Sequence, residues 1–265
     1  MATEIWNGTT SGNWDTAGNW VTIKPAANDN VSFPASATQD ITSGCDNENG
    51  IDVDELWIQE GANYNLGTVS VPVYISADLL KFEGGGSMFY KAGDTGCDLA
   101  IIKARPASSG ITSVTLNGTG TTDYTDIRIQ QGKVTVGPTL DAVATGDVPS
   151  LRVMGDSEVT VSAGSTFTNY QQGGGVVTNH STLTNAVICN GTFNQDTVVT
   201  GTTLDIWGGV VNILIAGTHP LINLYGGFLD LTRTSALKTV SVLNVYGGDY
   251  KTNGRVTLSA VNDYR

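Results

Sequence analysis

The chain has 265 residues, 40% hydrophobic and 14% charged, which is enough to bury a substantial core. Its 25 acidic and 13 basic residues leave a net charge of −12, which argues against nucleic acid or an anionic membrane surface as a direct partner. Affinity for phosphates comes mainly from Lys and Arg. The 33 glycines, with abundant Thr, Ser, Asn and Val, suit strands and tight corners better than helices.

The first residues, Met1-Ala2-Thr3-Glu4-Ile5-Trp6, hold neither a basic segment nor an apolar run. They predict no secretory leader. No apolar stretch reaches the ~20 residues of a membrane span. Production in a cytoplasm, with release by lysis as one exit, is the expectation. Residues 1–45 hold Trp6, Trp14 and Trp20, three of the five tryptophans. Turn residues separate these aromatics, as in Gly12-Asn13-Trp14-Asp15-Thr16-Ala17-Gly18-Asn19-Trp20. Isolated indoles among turns predict a small cap covering the end of a larger element.

Trp14, Asp15, Asn19, Trp20, Pro25, Asp29, Val31 and Phe33 form a recognisable pattern over about 20 residues. The stretch resembles the Trp-rich segment near the start of β-solenoid passenger domains in autotransporter-type surface proteins. Some bacteriophage structural proteins carry a similar segment. The resemblance implies a parallel β-helix that begins soon afterwards, and it implies no activity. Autotransporters also have a signal peptide and a C-terminal membrane barrel, and neither is expected here.

Next comes an acidic run: Asp46, Glu48, Asp52, Asp54, Glu55 and Glu60. Oxygen-rich loops attract calcium, so Asp46, Glu48, Asp52 and Asp54 are weak calcium candidates. The glycine of Asp46-Asn47-Glu48-Asn49-Gly50 is out of register for a calcium loop, and a solvated acidic face is the simpler reading. Cys45, Cys97 and Cys189 are far apart and form no CxxC pair, so buried free thiols are expected. No cofactor is predicted.

The main organising signal is a repeated phrase. Leu204-Asp205-Ile206-Trp207-Gly208-Gly209 recurs as Ile222-Asn223-Leu224-Tyr225-Gly226-Gly227 and Leu243-Asn244-Val245-Tyr246-Gly247-Gly248. The first glycines are 18 and 21 residues apart. Weaker copies extend back through Ile188, Tyr170, Leu151, Ile127 and Leu80 to Leu56. One doubled step hides a rung near position 108, between Ala100 and Ser113, where Pro106 breaks the phrase. The expected fold is an all-β, single-domain parallel β-helix of about ten rungs, stacked at roughly 4.8 Å. Residues 1–45 are its cap, 46–255 its body and 256–265 a C-terminal cap or contact arm. Ser235 to Leu243 reads as an insertion before the last full rung.

Alternation assigns faces. Leu204 and Ile206, with their counterparts, point inward. Asp205, Asn223 and Asn244 point outward, as do Trp207, Tyr225 and Tyr246. These three aromatics, with Trp14 and Trp20, are the candidate protein contacts, and a bound glycan is the alternative for the column. Asp205 and Asp230 lie near corners without a matching base, although Arg233 and Lys238 are close in sequence. His180 and His219 are isolated. No nucleophile elbow or phosphate loop occurs. No catalytic set is assigned, and a non-enzyme is expected. The reading is a non-enzymatic virion structural protein, an outer capsid decoration (cement) protein of a phage. Its expected partners are further copies of itself, as a homotrimer, and the major capsid protein. The alternative is a phage tailspike, fibre or adhesin that binds or cleaves surface glycans.

Overall fold

A computed structural model of the chain describes residues 2–104, 113–118, 123–137, 141–142, 150–197, 203–233 and 237–265. Apolar alternation, frequent β-branched residues and glycine corners produce strands almost throughout, and the chain winds as one parallel β-solenoid. The strand pairings are parallel, with one isolated antiparallel bridge between Trp6 and Trp20. No helix among the described residues is long and apolar enough to cross a membrane.

Three columns of strands make the walls. The first holds the repeated phrase, with Leu204 paired to Ile222 and Ile222 to Leu243. The second follows the glycine corner, with Val211 paired to Leu229. The third leads back to the first and contains Phe167 paired to Leu183. Along the second column, from Met88 to Tyr250, there are about nine turns, close to the expected ten. The hidden rung lies earlier than expected. Ala100 and Ile102, in the strand Met88–Lys103, pair with Leu80 and Phe82 below and with Ile127 and Ile129 above. Pro106 lies outside the described residues.

The first column continues at both ends beyond the predicted body. Thr3–Ile5 pairs with Asn30–Phe33, which pairs with Glu48–Ile58, so the Trp-rich segment is inserted into the first turns. At the other end, Val256–Leu258 and Val261–Asp263 pair in register with Lys238–Val245. The last residues are therefore another rung and not a separate arm. Ser235 and Ala236 of the expected insertion lie outside the described residues, and from Lys238 onward the segment is a regular strand.

Two constraints act at the glycine corner. Gly227 has φ +75°, a conformation that costs an L-residue roughly 1–2 kcal/mol. Gly226 has no such φ, but a Cβ there would lie 2.5 Å from the Trp207 carbonyl oxygen of the preceding rung. The second glycine is needed for the turn and the first for rung-on-rung contact.

The interior is a stack of apolar side chains from all three columns. Trp6, Trp14, Trp20 and Phe33 close its lower end, with edge-to-face indole contacts at 5.2 and 4.8 Å. The buried amide of Asn19 ties this cap together. Its oxygen accepts from the amides of Thr10 and Ser11, and its nitrogen donates to the Asn13 carbonyl at 2.7 Å. In the middle turns some buried polar side chains bond one another. Asn179 Nδ2 donates to Gln195 Oε1 at 3.0 Å, and the Tyr170 hydroxyl donates to Gln172 Oε1 at 2.9 Å.

His219 is an exception. It lies on the third column opposite Val240, is buried, and has no hydrogen-bond partner for either ring nitrogen among the described residues. Burial, and then the neighbouring Lys238 charge, push its pKa down to about 4. As pH falls, the unfolded chain therefore takes up a proton near the ordinary value, around 6.5, before the native chain does. Stability is complete above that value and declines as pH falls toward the native pKa. The loss between pH 7.5 and 5 should be at most about 2 kcal/mol. Urea midpoints at the two pH values should show it, and His219→Leu should flatten the difference. An unchanged slope in that variant would refute the assignment.

Candidate functional site: the outward aromatic ladder

The strand Thr203–Ile206 and its successors hold their apolar residues inward, as the alternation predicts. The residues between them form two outward columns. In the first, Asn223 Nδ2 donates to Asp205 Oδ1 at 2.7 Å, and Asn244 Nδ2 to Asn223 Oδ1 at 2.8 Å. Asn262 continues the series onto Asn244 at 2.8 Å. An asparagine both donates and accepts, so it can occupy any position in such a ladder. A carboxylate only accepts, and Asp205 stands at the end where only an acceptor is required.

The second outward column is a ring stack. Trp207 and Tyr225 have centroids 4.1 Å apart and planes within 13°. Tyr225 and Tyr246 follow at 4.9 Å and 8°. A fourth ring, Tyr264, was not singled out from the sequence. It lies on Tyr246 at 4.8 Å and 8°. Its sequence signal is the spacing Asn262-x-Tyr264, which repeats Asn244-x-Tyr246 without the glycine pair. Trp207, Tyr246 and Tyr264 are 57%, 45% and 60% exposed. Partial burial in the stack, then the charge of Asp205 and the neighbouring Tyr246, raise the phenol pKa of Tyr225.

The stack decides what this surface can bind. The inner rings cover one another's faces and show solvent their edges. A sugar that stacks on an aromatic needs an open ring face, which Tyr225 and Tyr246 do not offer. Ring edges beside an amide ladder instead make a ribbed surface of low charge suited to protein packing. Asp205 is the only charged member of the two columns. Beyond the glycine corner the outward series runs Val176, Thr192, Val210 and Phe228, with charged Glu158 before it and exposed Asp249 after it.

Other candidate residues have different surroundings. Trp14 and Trp20 are buried in the cap and form its core, so they present no surface to a partner. Glu48 is bonded to Lys24 at 2.6 Å, and Asp52 accepts from Thr95 at 3.0 Å. Asp54 points one oxygen into a buried position without a partner, and Asp46 is half-buried. Flanking pairs place Asp54, Asp78 and Asp98 on successive rungs. Loss of solvent, then the charges of Asp52, Asp98 and Asp54, raise the carboxyl pKa of Asp78. Among the described residues, no group of three or more His, Cys, Asp or Glu side chains is arranged to hold a metal.

Asp205 and Asp230 are on different columns. Asp230 accepts from Thr232 at 2.7 Å and from Arg233 at 3.0 Å, while Lys238 turns into the core. His180 pairs with Asp196 at 3.0 Å on the second column. Cys45 and Cys97 are buried, and burial pushes both thiols up to about 12. Cys189 is exposed, contrary to expectation. It occupies the aromatic slot of its rung, directly below Trp207, and alternation turns that slot outward whichever residue fills it.

No family model, curated protein or solved structure matches the chain. The class defined by the fold is the parallel β-solenoid, and the distinguishing surface is its four-ring ladder.

Two measurements check this geometry. Thiol labelling of the native protein should modify Cys189 rapidly, and Cys45 and Cys97 only after unfolding. Tyr225→Ala removes two ring contacts and Tyr264→Ala one, at about 0.5–1.5 kcal/mol per contact. Urea unfolding should therefore show a larger loss for Tyr225→Ala. Equal losses would mean that the stack does not stabilise the fold.

Proposed function

We propose that the chain is a non-catalytic structural protein that docks through the aromatic and asparagine ladders. The favoured setting is a virus particle, where it acts as a capsid decoration protein. The observation that carries the reading is the four-ring ladder, an uncharged and exposed face on a chain of net charge −12. Self-repulsion of such a chain disfavours contact elsewhere, so a charge-poor strip is where copies or a shell protein can meet it. The engagement of Asp205 and Asp230 with separate neighbours also supports a binding role over a catalytic one.

The proposed mechanism is mass action. A protein that binds only the assembled shell stabilises it against expansion and dissociation. The proposed partners are two further copies, giving a homotrimer, and the major capsid protein. The Trp-rich resemblance to phage structural proteins favours this setting, although fold alone does not fix function.

Mass spectrometry of purified particles should find hundreds of copies per particle. Adding the protein to particles that lack it should raise their disruption temperature in a concentration-dependent way. Trp207→Ala with Tyr246→Ala should weaken that binding by roughly 10- to 100-fold. Absence from particles, or full binding by the double variant, would overturn the proposal.

A further inference from the structure

A second feature lies on another wall, away from the ladder. The outward residues of the second column begin with Phe89 in Met88–Lys103, which pairs with Thr115 in Ser113–Asn117. Thr115 pairs in turn with Thr135 in Tyr124–Val136. Residues 68–72 form a lip beside this column. There the Thr68 hydroxyl accepts from the Val71 amide at 3.0 Å, and the lip holds Val69 82% exposed. Lip and column enclose an open cleft of about 330 Å³.

The lining has two kinds of surface. Val69, Pro72 and Phe89 provide an apolar patch, and Thr115, Thr135 and Asn117 provide short uncharged polar groups. Among the described residues no charged side chain lines the cleft. Asn117 follows inward Leu116, so its amide turns outward, and its Oδ1 is buried without a hydrogen-bond partner. The hydroxyls of Thr115 and Thr135 have no hydrogen bond among the described residues and sit one rung apart.

The geometry points to a binding site for a single neutral pyranose. A sugar ring has an apolar C–H face for Phe89, Pro72 and Val69. Its hydroxyls, or the N–H of an acetamido substituent, meet both threonines and the Asn117 side chain that line the cleft. The volume is near the lower end of ligand sites, ~300–1,000 Å³, which suits one ring better than a long chain. An uncharged lining on an acidic chain selects against uronates and sulfated sugars. This site does not depend on the virion proposal, and it places glycan recognition on a wall separate from the ladder.

Saturation-transfer NMR with methyl glycosides of neutral hexoses and N-acetylhexosamines, and with glucuronic acid as the charged control, tests the site. Transfer is expected to at least one neutral sugar and not to glucuronic acid. Thr115→Val with Thr135→Val keeps the shape and the strand preference. It should weaken binding at least 10-fold while far-UV circular dichroism and melting stay unchanged. Trp207→Ala with Tyr246→Ala should leave sugar binding intact even if it abolishes docking to particles. The inference fails if no neutral sugar binds, if glucuronic acid binds equally well, or if the double valine variant binds normally. It also fails if the ladder variant loses the sugar.

Discussion

Every rung depends on the hydrogen bonds that its backbone makes with the rungs above and below. Backbone amides and carbonyls must be paired, and in this chain parallel in-register strands pair them. In-register pairing makes each residue's closest neighbours its own counterparts about one turn away in sequence. Like therefore stacks on like, and most features of the molecule follow from that constraint. Leucine, isoleucine and valine form continuous inner columns. Asparagines form a ladder because an amide can serve its neighbours on both sides. Aromatics form a stack because their spacing is set by the backbone.

The same constraint penalises some residues. Carboxylates stacked on one another repel, and at Asp78 loss of solvent, then the charges of Asp52, Asp98 and Asp54, raise the carboxyl pKa. An inward histidine loses solvent with little to replace it, as His219 shows. Middle turns handle inward polar groups by bonding neighbours to each other, as Asn179 does with Gln195. At the lower end the tryptophan cluster packs over the core. Asn19 satisfies the turn amides that no strand pairs.

These surfaces lead to two distinct kinds of recognition. The ladder is ribbed and of low charge, and its inner rings expose edges. The cleft is small and concave, with Phe89 beside short uncharged polar side chains. An extended protein surface suits the first, and one small neutral ring suits the second. The columns differ because the ring stack occupies its own faces, whereas threonine side chains are too short to cover Phe89.

The sequence by itself determined the solenoid, its corners and the faces of its main strands. Those follow from local alternation and from glycine at fixed spacing, and both survive any rearrangement of distant parts. It concealed the rung at Ala100 and Ile102, where an unbroken apolar run lacks a glycine corner, and it understated Tyr264 for the same lack of glycine. Cys189 shows two rules in conflict: the usual burial of free cysteine predicted one side, and alternation, which is enforced by the backbone, decided the other. Only the tertiary structure decided that Trp14 and Trp20 face the cap core, and that the acidic run does not converge. It alone brought residues 68–72 over Phe89, Thr115 and Thr135. Those outcomes depend on which segments meet across the rungs, and contacts between distant segments leave no period in the sequence.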